Sequence, residues 1–302
     1  MRGAPTGWRL VAALLLGGWV ALTGCAAMTP TLHADPAALP RLVAARAMHA
    51  HIVYLGESHD NPHHHLDQAR VVEAMLAGDA RPALAFEMLA QDQQAAVDAA
   101  MRESVEPAAL AKRLGWDARG WPDFEMYRAL FDLARRYRLP VVAIDLSQAV
   151  VRRIAREGLA ALAVDERSRL ASRLAPDADR ERSIARDIET AHCGLLPVAS
   201  MPSMVDAWHA RNVTMARRII MALERAPQVV VIVGRGHQAP GGLADQVEAL
   251  RPGTRQLIVD LVESGEGTPD RAEPADNRIV WRIVWPSPAV ERPDPCAPLR
   301  AR

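Results

Sequence analysis

The sequence predicts an α/β fold, a mostly parallel sheet flanked by helices with a smaller helical subdomain, and three observations carry that prediction. Short apolar runs without polar alternation recur along the chain, as strands covered on both faces do. Helical periodicity fills the intervals between them, the pattern of βαβ units. From Leu146 to Ala226 there is no convincing strand, and about 80 residues is more than one crossover helix needs, so part of that stretch is assigned to the subdomain.

Composition agrees and narrows the function classes. Half of the 302 residues are hydrophobic, enough for a sizeable core. Lysine plus arginine equals aspartate plus glutamate at 36 each, which argues against a broad basic face and against nucleic acid as a partner.

At the start of the chain, Arg2 and Arg9 precede an uncharged apolar run, Leu10 to Leu22, that closes in Leu22-Thr23-Gly24-Cys25. That segment resembles a bacterial lipoprotein signal with its lipobox. Residues 1–24 are then a cleaved peptide, and Cys25 carries a lipid anchor of acyl chains such as palmitate. An ordinary signal peptide or an uncleaved anchor is the alternative. Ala26 after the cysteine favours the outer membrane, on its periplasmic side. Cys193 and Cys296 remain, and an oxidising periplasm permits them to pair. A metal or cofactor role for Cys193 beside His192, or two unpaired thiols, are the other readings.

Residues 25–40, with prolines at 30, 36 and 40, read as a tether, and residues 41–290 as the α/β domain. His51 to Leu55 is the first strand. Asn61-Pro62 opens a helix, with a capping residue followed by proline at the first helical position, and Gly78 ends it. Pro82 to Phe86 is the second strand, followed by helices over Gln91–Met101, Glu106–Leu114 and Pro122–Tyr137. Pro140 to Ile144 is the third strand. The helical subdomain is placed at about residues 147–205, and a long helix runs from Met201 to Arg225. Gln228 to Val233 is the fourth strand, with a helix to about Leu250 after it. Gln256–Val262 and Arg278–Trp285 are the last strands, separated by a linker from Glu263 to Asn277. Residues 291–302 read as an irregular tail.

In parallel sheets ligands bind beyond the carboxyl ends of the strands. Glu57 and His59, Glu87, Asp145 and His237 each stand at or just after such an end, so one edge collects ionisable groups from four strands. Gly56-Glu57-Ser58-His59 and Gly234-Arg235-Gly236-His237 form two Gly-x-x-His turns. The two glycines before His237 let the backbone approach a ligand closely. Of the three histidines that open the first helix, His63 is the inward candidate, with at least one of His64 and His65 solvated. Imidazole with carboxylate suits metal coordination, axial ligation of an iron porphyrin, or activation of water. Trp116 and Trp121 read as packing residues, with a cofactor wall as the alternative.

These motifs resemble the ChaN-like haem-binding lipoproteins of the haem-binding uptake and Tiki superfamily. The resemblance is carried by Tyr54 to Pro62 with His64, His65 and Gln68; by Ala85-Phe86-Glu87-Met88 with Gln93; and by Trp121 with Phe124, Tyr127 and Phe131. It continues through His192 to Pro197, Arg211-Asn212 with Met215-Ala216, and Val233 to His237. Departures from the family pattern stand at Arg235, usually asparagine, at Trp208, usually glutamine, and at Asn212, usually aspartate.

What the resemblance implies is a lipid-anchored haem-binding protein of the cell envelope that serves haem and iron acquisition. Haem is the cofactor expected, with a divalent metal as the alternative. Glu57, His59, His63, Glu87, Tyr127, Arg235 and His237 are the binding residues expected, with His59 and His237 as metal ligands. Tyr127 is the tyrosine assigned to iron, because Tyr54 lies in a buried strand and Tyr137 ends a helix beside two arginines. An outer-membrane haem receptor and a second copy of the chain are the protein partners expected. The competing class is a hydrolase of the Tiki or erythromycin-esterase type, with Glu57 and the paired histidines acting on water; binding is favoured over catalysis.

Overall fold

Residues 39–103, 105–264, 279–294 and 296–297 are described in the computed structural model. Among them six strands pair in parallel: β1 (Ile52–Glu57), β2 (Ala83–Ala90), β3 (Val141–Asp145), β4 (Val229–Gly234), β5 (Gln256–Glu263) and β6 (Ile279–Ser287). Their order across the sheet is β3-β2-β4-β1-β5-β6. The central strands read as continuous apolar runs because both faces are covered: every residue of β1, β2, β4 and β5 is buried. The expected signal peptide with Cys25, the expected tether up to residue 38 and residues 265–278 of the expected linker lie outside the described residues.

The helices are α1 (Leu39–Ala47), α2 (Pro62–Ala77), α3 (Gln94–Arg102), α4 (Pro107–Leu114), α5 (Arg128–Tyr137), α6 (Gln148–Glu157), α7 (Val164–Leu170), α8 (Ala178–Ala191), α9 (Met201–Ala222) and α10 (Leu243–Leu250). No described helix is long and apolar enough to cross a membrane. Local chemistry sets α2 as expected: Asn61 accepts from the His63 amide, Pro62 is the first helical residue, and the Gly78 amide closes the last turn on Met75. Two expectations are corrected. Helix α1 begins inside the segment read as tether. The helix expected over Pro122–Tyr137 starts only at Arg128, because Asp123 caps a separate 3₁₀ turn, Phe124–Met126, through the Glu125 amide.

Two apolar clusters hold these layers. Met215, Ala216 and Ile219 of α9 and Leu243 and Val247 of α10 pack on Ile52, Val229, Val231 and Ile258 of the sheet. Leu146, Ile154, Leu162, Leu170, Ala207 and Ala210 form a second cluster, through which α6 and α7 lean on the first half of α9. Helix α9 therefore spans both clusters, and it crosses the sheet edge where the ionisable residues gather.

Candidate functional site

β1 and β4 are neighbours in the middle of the sheet, in register so that Gly56 faces Val233 and Glu57 faces Gly234. The two Gly-x-x-His turns thus leave the sheet side by side. Each glycine makes room for the other turn. A Cβ on Gly234 would stand 2.7 Å from His59 Nε2, and a Cβ on Gly56 would stand 2.0 Å from the Gln238 carboxamide. The expectation that the glycines before His237 clear space for a ligand is corrected for Gly234: it clears space for His59.

Glu57 is the hub of the first half of the site and is buried. Its Oε1 accepts from Tyr127 Oη at 2.6 Å and from His59 Nδ1 at 2.8 Å, and its Oε2 accepts from Gln68 Nε2 at 2.5 Å, with His65 Nδ1 at 3.3 Å. Burial pushes the Glu57 carboxyl up, but the hydrogen bonds and charges of His59 and His65 outweigh it and hold the group well below the usual carboxylate range. His59 answers in kind. Burial opposes its charge, yet Glu87 and Glu57 raise its pKa to about 9. His65 is raised as well, again against burial, by its contact with Glu57. Both its ring nitrogens face oxygens that accept, Nε2 on the His59 carbonyl at 2.9 Å and Nδ1 on Gln68 Oε1 at 3.2 Å.

Glu87 is the hub of the second half. Strand β2 is longer than expected and runs through it to Ala90. Oε1 accepts from Arg211 Nη2 at 2.7 Å and lies 3.2 Å from His237 Nε2; Oε2 accepts from the Gly234 amide at 2.7 Å. Burial opposes ionisation, and the charges of His237, His59 and Arg211 overcome it, so the carboxyl sits well below its ordinary range. Arg211 also grips both oxygens of Asp145 at 2.9 Å. His237 Nδ1 meets Asn212 Oδ1 at 3.1 Å, while the Asn212 amide donates to the Trp208 carbonyl. One face of α9 supplies these partners, Arg211 and Asn212 by their side chains and Trp208 by its carbonyl.

A cavity of about 430 Å³ opens over these hubs, in the range of small-molecule sites. Glu57, His59, Glu87, Arg211, Arg235 and His237 line its floor, while Ile184, Ile188 and Ala191 of α8, with His192 and Trp208, make a wall. Trp121 stands edge-on to His59, ring centroids 5.0 Å apart, so it faces the site, whereas Trp116 is buried against Phe124, Tyr127 and Phe131. Arg235 lines the cavity and reaches Ser58 Oγ at 3.3 Å.

Two expected binding residues are placed elsewhere. His63 is exposed, and His64 and His65 are the buried pair. The one-turn spacing from His59 to His63 misled because His59 precedes the helix, whose phase begins at Pro62 and turns positions 64, 65 and 68 inward. Tyr127 is buried and does not line the cavity; its hydroxyl is held by Glu57, and burial with that charge drives its pKa far above the ordinary value. It positions Glu57. Gln68, Arg211, Asn212, Trp208 and His192 carried the resemblance or departed from it without being among the binding residues expected. A buried asparagine, Asn212, beside a half-buried arginine was the signal available for α9. The pairing of Cys193 with Cys296 is formed, with Cα atoms 5.5 Å apart. Among the described residues no group of three or more His, Cys, Asp or Glu side chains is arranged to hold a metal ion.

Comparison with known proteins places this geometry. Residues 43–247 match the family described as haem-binding uptake, Tiki superfamily, ChaN. No curated protein sequence matches the chain. Among solved structures, ChaN of Campylobacter jejuni, described by its cofacial haem binding, has 18% identity and a TM-score of 0.59, with 79% of this chain and 89% of that chain covered. The type III effector HopBA1 has 17% identity and a TM-score of 0.43, with 82% and 93% covered. With its two Gly-x-x-His turns interlocked at the carboxyl edge of a parallel sheet, and with more than half of its length matched, this chain belongs to the haem-binding uptake, Tiki superfamily, ChaN family.

Proposed function

We propose that the protein binds haem in the cavity above β1, β2 and β4, and that it does so as a lipid-anchored component of haem and iron acquisition at the bacterial envelope. The observation that carries the haem reading is the pairing of a largely apolar wall, broken by Asp187 and His192, with two arginines on the cavity floor. Ile184, Ile188 and Trp208 offer flat apolar contact to a porphyrin face, and Arg211 and Arg235 stand where its propionates can be met. The carboxylates on the floor do not oppose an anionic edge, because Glu57 and Glu87 have their oxygens turned to histidine, arginine, tyrosine, glutamine and backbone donors. When bound, haem supplies an iron that accepts an axial lone pair.

Anchoring through Cys25, outer-membrane location and transfer to a haem receptor rest on the lipobox and the family. A second copy of the chain is proposed as a partner on the family alone. The Cys193–Cys296 bond supports an oxidising compartment.

Titration of ferric haemin into the full-length protein in detergent, followed by the Soret band and by tryptophan quenching, tests the reading. Saturation near one haem per chain, weakened several-fold in Arg235→Gln, is the expected outcome; absence of any saturable change overturns it.

One observation favours a second reading. Glu57 holds His59 Nδ1 and leaves Nε2 without a hydrogen bond among the described residues, the arrangement of a carboxylate–imidazole base that is free to act once pH rises through about 9. Hydrolysis of ester or amide probes that disappears in His59→Ala, in a protein that takes up no haemin, would establish this reading in place of the first.

A further inference from the structure

We infer that His192, at the end of α8, is the axial ligand that this protein offers to haem iron. The inference rests on the haem reading above and names the ligand that the sequence did not single out. His192 is exposed and lines the same cavity as His59 and His237. Its Nδ1 lies 2.7 Å from the Ile188 carbonyl, one turn earlier in the helix. A carbonyl only accepts, so Nδ1 carries the hydrogen and Nε2 of the neutral ring keeps its lone pair. Imidazoles that ligate metals are oriented in this way, with the second nitrogen donating to a backbone carbonyl or carboxylate.

The other two cavity histidines are less available. His237 has both ring nitrogens facing oxygens, Asn212 Oδ1 at 3.1 Å and Glu87 Oε1 at 3.2 Å. His59 is held by Glu57 at Nδ1, and its Nε2 lies against Gly234 with Glu87 Oε2 at 3.8 Å. Iron at His237 would have to displace part of a buried ion network, and iron at His59 Nε2 would have to enter between that atom, Gly234 and Glu87. Iron at His192 displaces nothing.

The end of α8 is also held firmly enough to present a ligand. Cys193 and Gly194 both take left-handed backbone angles, φ 61° and 67°, and their amides return to the Thr190 and Glu189 carbonyls, stopping the helix at His192. The adjacent Cys193 is fastened to Cys296. An exposed histidine closing a helix on its last carbonyls is a common structural device. Here the same residue borders Ile184, Ile188 and Ala191 of α8 and Trp208, a wall interrupted by Asp187, where a porphyrin face would lie.

The test is ferric haemin titration of the full-length protein in detergent with wild type, His192→Ala and His192→Met, read by the Soret and visible bands and by electron paramagnetic resonance. Expected are a changed iron spectrum in both variants, at least tenfold weaker binding in His192→Ala, and return of the wild-type spectrum when free imidazole is added to that variant. Circular dichroism and the unfolding midpoint should match wild type, since the side chain is exposed. Wild-type spectrum and affinity in both variants overturn the assignment while leaving haem binding intact. No binding by wild type overturns the haem reading and this ligand with it.

Discussion

At the scale of single residues, the site is two buried carboxylates whose charges are balanced by neighbours rather than by solvent. Tyr127→Phe keeps the ring against Trp116 and His65 but removes one donor from Glu57. A loss of about 1–2 kcal/mol in denaturant unfolding is expected, the cost of weakening the satisfaction of a buried acceptor. Arg211→Met leaves Glu87 and Asp145 without their shared cation, so a larger loss of roughly 3–5 kcal/mol is expected in the same measurement.

The histidines give stability a pH optimum. His59 is raised to about 9, so its contribution is complete below its ordinary value and declines as pH climbs through about 9. His64 runs the other way. Its burial, then the charge of Arg235, lower it to about 4, so the unfolded chain takes up the proton first and stability falls as pH drops from about 6.5 towards 4. Buried Nε2 of His64 has no partner, while Nδ1 accepts from the Ser58 amide at 2.9 Å, which fixes the neutral form. A maximum near pH 6.5 is expected from these two groups. In His64→Gln the acid limb should flatten; an unchanged limb would assign the acid loss to other groups.

At the scale of elements, the site depends on two strands and a helix meeting without side chains in the way. β1 and β4 can place their turns together only because Gly56 and Gly234 lack a Cβ. Gly234→Ala is expected to push His59 off Glu57 or bend the strand, lowering stability by about 1–3 kcal/mol. The His59 imidazole signals in an NMR titration should move towards the ordinary titration range in the variant; retention of a value near 9 would show that the strand yields instead. Helix α9 is the second such element, since it carries Trp208 and Arg211 to the cavity and Asn212 to His237 while its far half packs on the sheet.

At the scale of the whole molecule, the end of α8 is joined to the C-terminal tail by a disulfide that spans 103 residues. The tail in turn is tied to the first turn of the site, because Arg292 bonds Glu263 and Asp60. Cys193→Ser is expected to cost roughly 2–5 kcal/mol, the range for losing a native bridge across a long loop. Wild type in reductant should unfold at the variant's midpoint, whereas a midpoint insensitive to reductant would show that the bridge adds nothing.

The sequence by itself determined the strands, the parallel sheet, the edge at which Glu57, His59, Glu87 and His237 meet, and the capped start of α2. Those depend on local periodicity, on turn chemistry, and on the rule that ligands sit at the carboxyl ends of parallel strands. Tertiary structure alone decided which of three successive histidines turned inward, since helical phase is set by where the first turn begins, at Pro62. It also decided that Tyr127 serves Glu57, that Arg211 and His192 border the cavity, and that Asn212 holds His237 from behind. These residues reach the site from helices distant in the chain, and nothing local in their sequence fixes which strand end they will face once the layers pack.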